Sequence, residues 1–195
     1  MHALVVVAHP NHDSFTMRIQ HAATAGLRRG GHTVTVLDLY AMGFQPAMTL
    51  TERAAYHSAE PICDPLVALS VTAIQEADML VFVYPTWWST LPAILKGWLE
   101  KCMVPGVAFV FDENQRIRPG LNKIRHIVGI SSYGSPHHYV KFINDNGRRT
   151  LLRALRMNTG IRTRRSWLAF YAVDASTLEQ RSAFIRRVEQ RMAKV

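Results

Sequence analysis

Short apolar runs rich in β-branched residues alternate along the chain with longer stretches of helical period. That alternation is the pattern of βα units wound around a parallel sheet. Residues 3–8, 33–38, 79–84, 124–130 and 166–172 read as strands. The first, third and fourth are apolar almost throughout, as strands covered on both faces must be. Between them, residues 15–29 carry a helical pattern stopped by Gly30-Gly31, residues 66–77 repeat Leu66, Leu69, Ala73, Ile74 and Ala77, and residues 92–103 open with Pro92 in the first turn. Helical patterns over 140–157 and 176–193 complete the set, the last starting at Ser176-Thr177-Leu178-Glu179, the spacing of a capping box. About five strands and five helices in alternation predict an α/β fold: a three-layer, doubly wound sandwich with a parallel, about five-stranded central sheet. A barrel would need more units and a longer chain. Residues 40–65 and 104–122 stand outside the scheme as long connections, which in compact domains are functional or locally ordered. With no internal repeat, low-complexity tract or flexible linker, one domain over 1–195 is expected.

Composition narrows the setting. Of 195 residues, 48% are hydrophobic, enough for one real core. The apolar start breaks at His9-Pro10 and has neither a basic leader nor a small-residue cleavage site, so it reads as a buried strand and not a signal peptide. No apolar stretch approaches the roughly 20 residues that cross a bilayer. Cys63 and Cys102 are too few for a disulfide framework, and a reducing cytoplasm is the expected compartment. The formal charge is +9, with arginines crowded between Arg148 and Arg191. Such a field favours anionic partners: a pyridine-nucleotide phosphate, an acidic membrane surface touched peripherally, or nucleic acid. No helix-turn-helix, zinc-finger or RNA-recognition signature occurs, so nucleic acid is not expected. Most of these arginines are expected on solvated helix faces.

In an open parallel sheet, ligands bind beyond the carboxyl ends of the strands near the switch in strand order. Three loops lie there. The first, from His9 through Asn11, His12, Asp13 and Ser14 to Phe15 and Thr16, runs straight into a helix. Free amides, the helix dipole and two hydroxyls suit a phosphate, although a merely capped helix, with Asp13 or Ser14 as cap, explains the same residues. Neither a G-x-G-x-x-G nor a P-loop pattern is present, which weakens a dinucleotide-fold or ATP reading. The second loop contains Pro85, Thr86, Trp87 and Trp88, then Ser89, Thr90, Leu91 and Pro92. Its adjacent indoles suit an aromatic ring system held against stiff backbone, or serve as core or oligomer anchors. The third contains Ser131, Ser132, Tyr133, Gly134, Ser135 and Pro136, then His137, His138 and Tyr139. Small residues there permit close backbone approach, and the trailing His and Tyr are proton or hydrogen-bond donors. The consecutive histidines lack a partner at zinc-ligand spacing, so no metal is expected, and no G-x-S-x-G nucleophile motif occurs.

Residues 76–101, and within them Pro92-Ala93-Ile94-Leu95-Lys96-Gly97-Trp98, resemble a signature of the flavodoxin-like NAD(P)H:quinone reductases, the group that includes DT-diaphorase and the modulator-of-drug-activity proteins. The resemblance extends over nearly the whole chain and is weakest over 40–65. It implies a flavin cofactor, FAD slightly favoured over FMN, with NAD(P)H as donor and a quinone-type acceptor reduced by two-electron ping-pong transfer. Carried over by position, His9, Ser14, Phe15 and Thr16 bind the flavin phosphate and ribityl chain. Pro85, Thr86, Trp87 and Trp88 hold the ring edge and face, Ser131, Ser132, Tyr133 and Gly134 meet the pyrimidine side, and Arg181 contacts the adenylate half of FAD. Tyr139 matches the family's catalytic tyrosine. Two departures stand out: the family's glycine pair is here Tyr133-Gly134, and its downstream histidine falls near Asp145, leaving His138 as the candidate substitute. Relatives are homodimers, which suggests a use for the apolar helix 92–103 and for Phe109 and Phe111. Two further readings remain: a flavin-bearing accessory subunit of potassium-efflux type, and a one-electron flavodoxin-like carrier. Carriers usually present acidic surfaces, whereas this chain is basic.

Overall fold

The computed structural model describes residues 1–58 and 60–195. In chain order the elements are β1 (His2–Val7), α1 (Phe15–Arg29), β2 (Thr33–Asp38), α2 (Leu50–Ala55), α3 (Pro65–Glu76), β3 (Met79–Pro85) and α4 (Ala93–Cys102). They continue with β4 (Phe109–Phe111), β5 (Ile117–Pro119), β6 (His126–Ser132), α5 (His137–Phe142), α6 (Asn146–Arg149), β7 (Arg164–Phe170) and α7 (Leu178–Met192). Five strands form one sheet in the order β2-β1-β3-β6-β7, and every pairing in it is parallel. This is the doubly wound arrangement expected from the alternation, with the order reversing between β1 and β3.

The sheet separates two cores because successive side chains of a strand point to opposite faces. Leu4, Val6, Leu80, Phe82 and Tyr84 join the core against α3 and α4, while Ala3, Val5, Met79, Val81 and Val83 join the core against α1 and α7. α1 and α7 cross closely at Gly26, where an added Cβ would overlap the carbonyl oxygen of Glu189.

Several boundaries differ from those the sequence suggests. The strands expected at 124–130 and 166–172 are His126–Ser132 and Arg164–Phe170. Ser131 and Ser132 therefore lie in β6, paired with Tyr84 and Pro85, and not in a loop. Burial is tolerated because Ser131 Oγ shares a 2.9 Å hydrogen bond with Thr86 Oγ1. β7 is an edge strand, which lets Arg164 and Arg165 remain exposed at its start. The helix expected over 140–157 breaks into α5, α6, a π-turn over Thr150–Ala154 and a 3-10 turn over Leu155–Asn158. The break falls at Asn144 and Asp145, whose φ angles of 78° and 41° are left-handed, the region these two residue types enter most readily after glycine. The capping box of α7 is shifted by one residue: Thr177 Oγ1 accepts from the Gln180 amide at 3.2 Å, and Gln180 Oε1 accepts from the Thr177 amide at 2.9 Å. Ser176 instead donates to the Val173 carbonyl at 2.6 Å. The connection 104–122 contains the antiparallel β4–β5 hairpin.

The long 40–65 connection is pinned to α4 at two positions one turn apart. Gly97 lies against Pro46, where any Cβ would overlap the Pro46 carbonyl oxygen. Lys101, whose side chain is 2% exposed, reaches Glu52 Oε1 at 2.8 Å and Asp64 Oδ2 at 3.2 Å, and donates to the Gln45 carbonyl at 3.0 Å. Burial raises both carboxyls, but Lys101 and local amides outweigh it and hold each below its ordinary value. Removing the cation would strand two carboxylates, so Lys101→Met is expected to cost about 3 kcal/mol of unfolding free energy at pH 7. A carboxylate held below its unfolded pKa loses its stabilising contribution as pH falls through the folded value. Urea denaturation should therefore show the gap between parent and variant closing below about pH 4; a variant within 0.5 kcal/mol of the parent at pH 7 would refute the pin.

Candidate functional site

The carboxyl ends of β1, β3 and β6 carry the three candidate loops side by side. After β1, the chain turns at His9 and starts α1 with Ser14 as cap, its Oγ accepting from the Met17 amide at 3.3 Å. Asn11 organises the turn: its carbonyl accepts from the Ser14 amide at 3.2 Å, and its side-chain oxygen accepts from the Asp13 amide at 2.8 Å. The amides of Phe15 and Thr16 then find no protein acceptor among the described residues. Two free donors at the positive end of a 15-residue helix make an anion cradle. Ser14 is the cap, and the two free amides lie beside it. Burial lowers the His9 pKa, against a raising contact with the Asn11 carbonyl.

After β3, Pro85 is the buried last residue of the strand and the chain makes a two-residue reversal. The Trp87 amide donates to the Thr90 carbonyl at 3.2 Å and the Thr90 amide to the Trp87 carbonyl at 3.0 Å. Both central residues have positive φ, 48° at Trp88 and 63° at Ser89, where turns of this geometry normally place Asn-Gly. Left-handed backbone at non-glycine residues costs roughly 1–2 kcal/mol each. Trp88 is also 98% exposed. The indole is thus not a core anchor, and it combines strained backbone with full exposure. Trp87 sits 5.8 Å from the His9 ring, joining the first loop to the second.

After β6, Tyr133 is 2% exposed, stacked on Tyr171 at 4.9 Å, and its hydroxyl donates to Asp145 with both carboxylate oxygens at 3.0 Å. Burial raises the Tyr133 pKa, with the Asp145 charge adding to it. Burial also raises Asp145, and the Tyr133 hydroxyl, the Arg148 amide and the nearby arginines offset this only in part. The Tyr84 hydroxyl lies in the same buried region with no partner among the described residues, its pKa raised by burial and by Tyr133 and Asp145.

Thr86, Trp88, Tyr133, Gly134, Tyr139 and Asp145 line one slot of about 250 Å³. The amides of Trp88, Ser89, Gly134 and Ser135 around it find no protein acceptor among the described residues. Tyr139, on α5, is half-exposed at the mouth of the slot. His138 is exposed on the same helix and does not line it. Arg181 is committed elsewhere, its guanidinium donating to Ser176 Oγ at 2.8 Å and the Val173 carbonyl at 3.0 Å. Beside it, Phe170, Phe184 and Arg187 line a second cavity of about 580 Å³, and Phe15 of the anion cradle packs on Phe170 at 5.2 Å. Among the described residues, no three His, Cys, Asp or Glu side chains gather to hold a metal ion. Asp145 is the slot residue that sequence reasoning passed over as only a departure from a pattern. Its signal was the turn-forming run Asn144-Asp145-Asn146-Gly147 inside a supposed helix.

The sequence model of a family described as having a flavodoxin-like fold matches residues 1–194. The chain belongs to that family. Among flavodoxin-like relatives, NAD(P)H dehydrogenase (quinone) 1 of Cavia porcellus is 31% identical over 152 residues, covering 70% of this chain and 55% of the relative. Ribosyldihydronicotinamide dehydrogenase (quinone) of Homo sapiens is 34% identical over 121 residues, covering 54% of this chain and 52% of the relative. The chain thus spans about half the length of the curated relatives it matches. The crystallised NAD(P)H:quinone oxidoreductase of Methanothermobacter marburgensis superposes with a TM-score of 0.82 at 25% identity, over 100% of this chain and 96% of that one. No described helix is long and apolar enough to cross a membrane.

The shifts at Asp145 carry a stability consequence. A carboxyl held above its unfolded value disfavours the fold once ionised, so the cost appears as pH rises from about 4 through the folded value. Asp145→Asn removes that charge and keeps a residue suited to left-handed backbone. It is expected to raise the unfolding free energy at pH 7 by an amount on the order of 1 kcal/mol or less for this half-buried group, read as a higher thermal midpoint. The gain should vanish below about pH 4. A midpoint lowered at pH 7 would mean that the Tyr133 hydrogen bond outweighs the buried charge.

Proposed function

We propose that the protein is a flavin-dependent NAD(P)H:quinone oxidoreductase in which donor and acceptor take turns in the slot between Trp88 and Tyr139. The observation that carries this reading is the coincidence, at adjacent strand ends, of a helix-end anion cradle and a slot ringed by unused amides. The free amides of Phe15 and Thr16 suit a flavin phosphate, and those of Trp88, Ser89, Gly134 and Ser135 suit the carbonyl-rich edge of a flat heterocycle. The names of the relatives and the full-length match to a quinone oxidoreductase structure support the same assignment.

A bound flavin supplies the hydride chemistry, accepting two electrons from NAD(P)H and delivering them to a quinone. The chain's task is placement and charge. His9, Ser14, Phe15 and Thr16 hold the phosphate end, while Thr86 and Ser131, tied by their hydroxyl pair, set the spacing of the two ring loops. Pro85 and Ser132 close the strand ends beneath them, and Trp87 with His9 couples ring and phosphate sites. Tyr139, at the slot mouth, donates its hydroxyl proton toward charge that develops on the acceptor oxygen. FAD fits better than FMN because the cavity beside Phe15 offers aromatic walls and Arg187 for an adenylate, with Arg181 bracing Ser176 of its lining. The exposed apolar side chains Val110, Phe111 and Ile117 of the β4–β5 hairpin suit burial by a second copy of the chain.

The purified protein should be yellow and release FAD on denaturation, identified by mass. Steady-state rates with NAD(P)H and a benzoquinone should give parallel double-reciprocal lines. No chromophore after reconstitution with FAD or FMN would remove the assignment, and intersecting lines would remove the shared slot.

Tyr139→Phe keeps the ring and deletes the donor. It should slow turnover by something like tenfold, the worth of one hydrogen bond made in the transition state, with flavin content unchanged. Equal stopped-flow rates would make Tyr139 a packing residue.

A further inference from the structure

Beyond the slot, on the far side of Asp145, lies a cavity of about 390 Å³ whose chemistry the reductase reading leaves unused. Lys141 of α5, Arg148 and Arg149 of α6, Arg153 of the π-turn and Arg165 of β7 all line it. Among the described residues, none of these five cations takes part in a salt bridge, although the chain pairs other basic groups elsewhere. Asp145 is the one acidic residue in the lining, and it also lines the slot, so the two spaces share a wall.

We propose that this basic cavity receives the phosphates of the reduced dinucleotide and selects NADPH over NADH. The proposal rests on the NAD(P)H reading above and names its donor. Five like charges gathered around a single carboxyl repel, and an added anion relieves that cost. Asp145 lines both spaces, so they adjoin, and a ligand seated in the slot can extend into the cavity. A dinucleotide can do so: its nicotinamide is a flat ring of slot size, and its phosphates hang from the same molecule. Charge separates the two dinucleotides. The lining carries about four net positive charges at neutral pH, NADPH brings about four negative charges, and NADH only two, because it lacks the 2′-phosphate. Planar guanidinium groups bind terminal phosphates in paired hydrogen bonds, the geometry that a 2′-phosphate offers and a bridging pyrophosphate offers less fully.

Calorimetric titration of the flavin-loaded protein with 2′,5′-ADP and with 5′-ADP tests the cavity without turnover. The 2′-phosphorylated probe should bind at least tenfold more tightly at low ionic strength, and its advantage should shrink as salt is raised. In the double variant Arg149→Gln, Arg153→Gln, both at exposed positions, that preference should fall toward one while flavin content stays at the parental level. Equal affinity for the two probes in the parent, or an undiminished preference in the variant, would overturn the proposal. Stopped-flow reduction then separates this inference from the one beneath it. Equal reduction rates with NADH and NADPH would remove the selectivity and leave the reductase standing. No reduction by either would remove both.

Discussion

Two-sided burial of β1 and β3 is the constraint on which the rest of the molecule depends. Every side chain from Ala3 to Val7 and from Met79 to Pro85 is withdrawn from solvent, into one core or the other. Backbone groups within such strands are consumed by their neighbours, so unused donors can exist only where the strands end. Here they do so together, because the strand order reverses between β1 and β3 and leaves their loops splayed on either side of a crevice. The free amides of the α1 start and those around the slot are therefore products of the same topology.

Within the crevice, stability is given up in several places at once. Trp88 and Ser89 hold left-handed backbone, burial raises the Asp145 carboxyl above its ordinary range, and the Tyr84 hydroxyl is buried without a partner among the described residues. Arg148 and Arg149 crowd the adjoining cavity. Conflicts between local preference and global fold concentrate at sites of function, and the compensating rigidity lies far away, in the two packed cores and the Lys101 pin.

Much of this was legible in the sequence wherever one physical term dominated. β2 and α1 matched the expected bounds, since period and stop signals agree there. β6 slid by two residues because Ser131 and Ser132 look like loop residues, and only the tertiary bond to Thr86 makes their burial affordable. The helix over 140–157 was misread because apolar spacing on both sides concealed the left-handed pair at Asn144 and Asp145. The α7 cap moved from Ser176 to Thr177, two equally good candidates one residue apart. The three candidate loops lie side by side at the strand ends, and Thr86, Trp88, Tyr133, Gly134 and Tyr139 meet at one slot. Asp145 and the convergence of the basic side chains were not legible: the slot brings Asp145 to Thr86 and Trp88 from a distant loop, and the broken helix turns Lys141, Arg148, Arg149 and Arg153 toward Arg165 of β7.

The α1–α7 crossing has a bearing on how the molecule comes to be made. α1 begins with the anion cradle near one end of the sequence, yet its outer face is closed by α7 near the other, with Arg29 bonded to Glu189 across a separation of 160 residues. Such a contact forms only after a loop of that length has closed, and contacts of long sequence separation are the slow ones. During synthesis the chain therefore emerges with the cradle's own helix half-covered, exposing the Ala22, Ala23 and Leu27 stripe until the last strand and helix arrive.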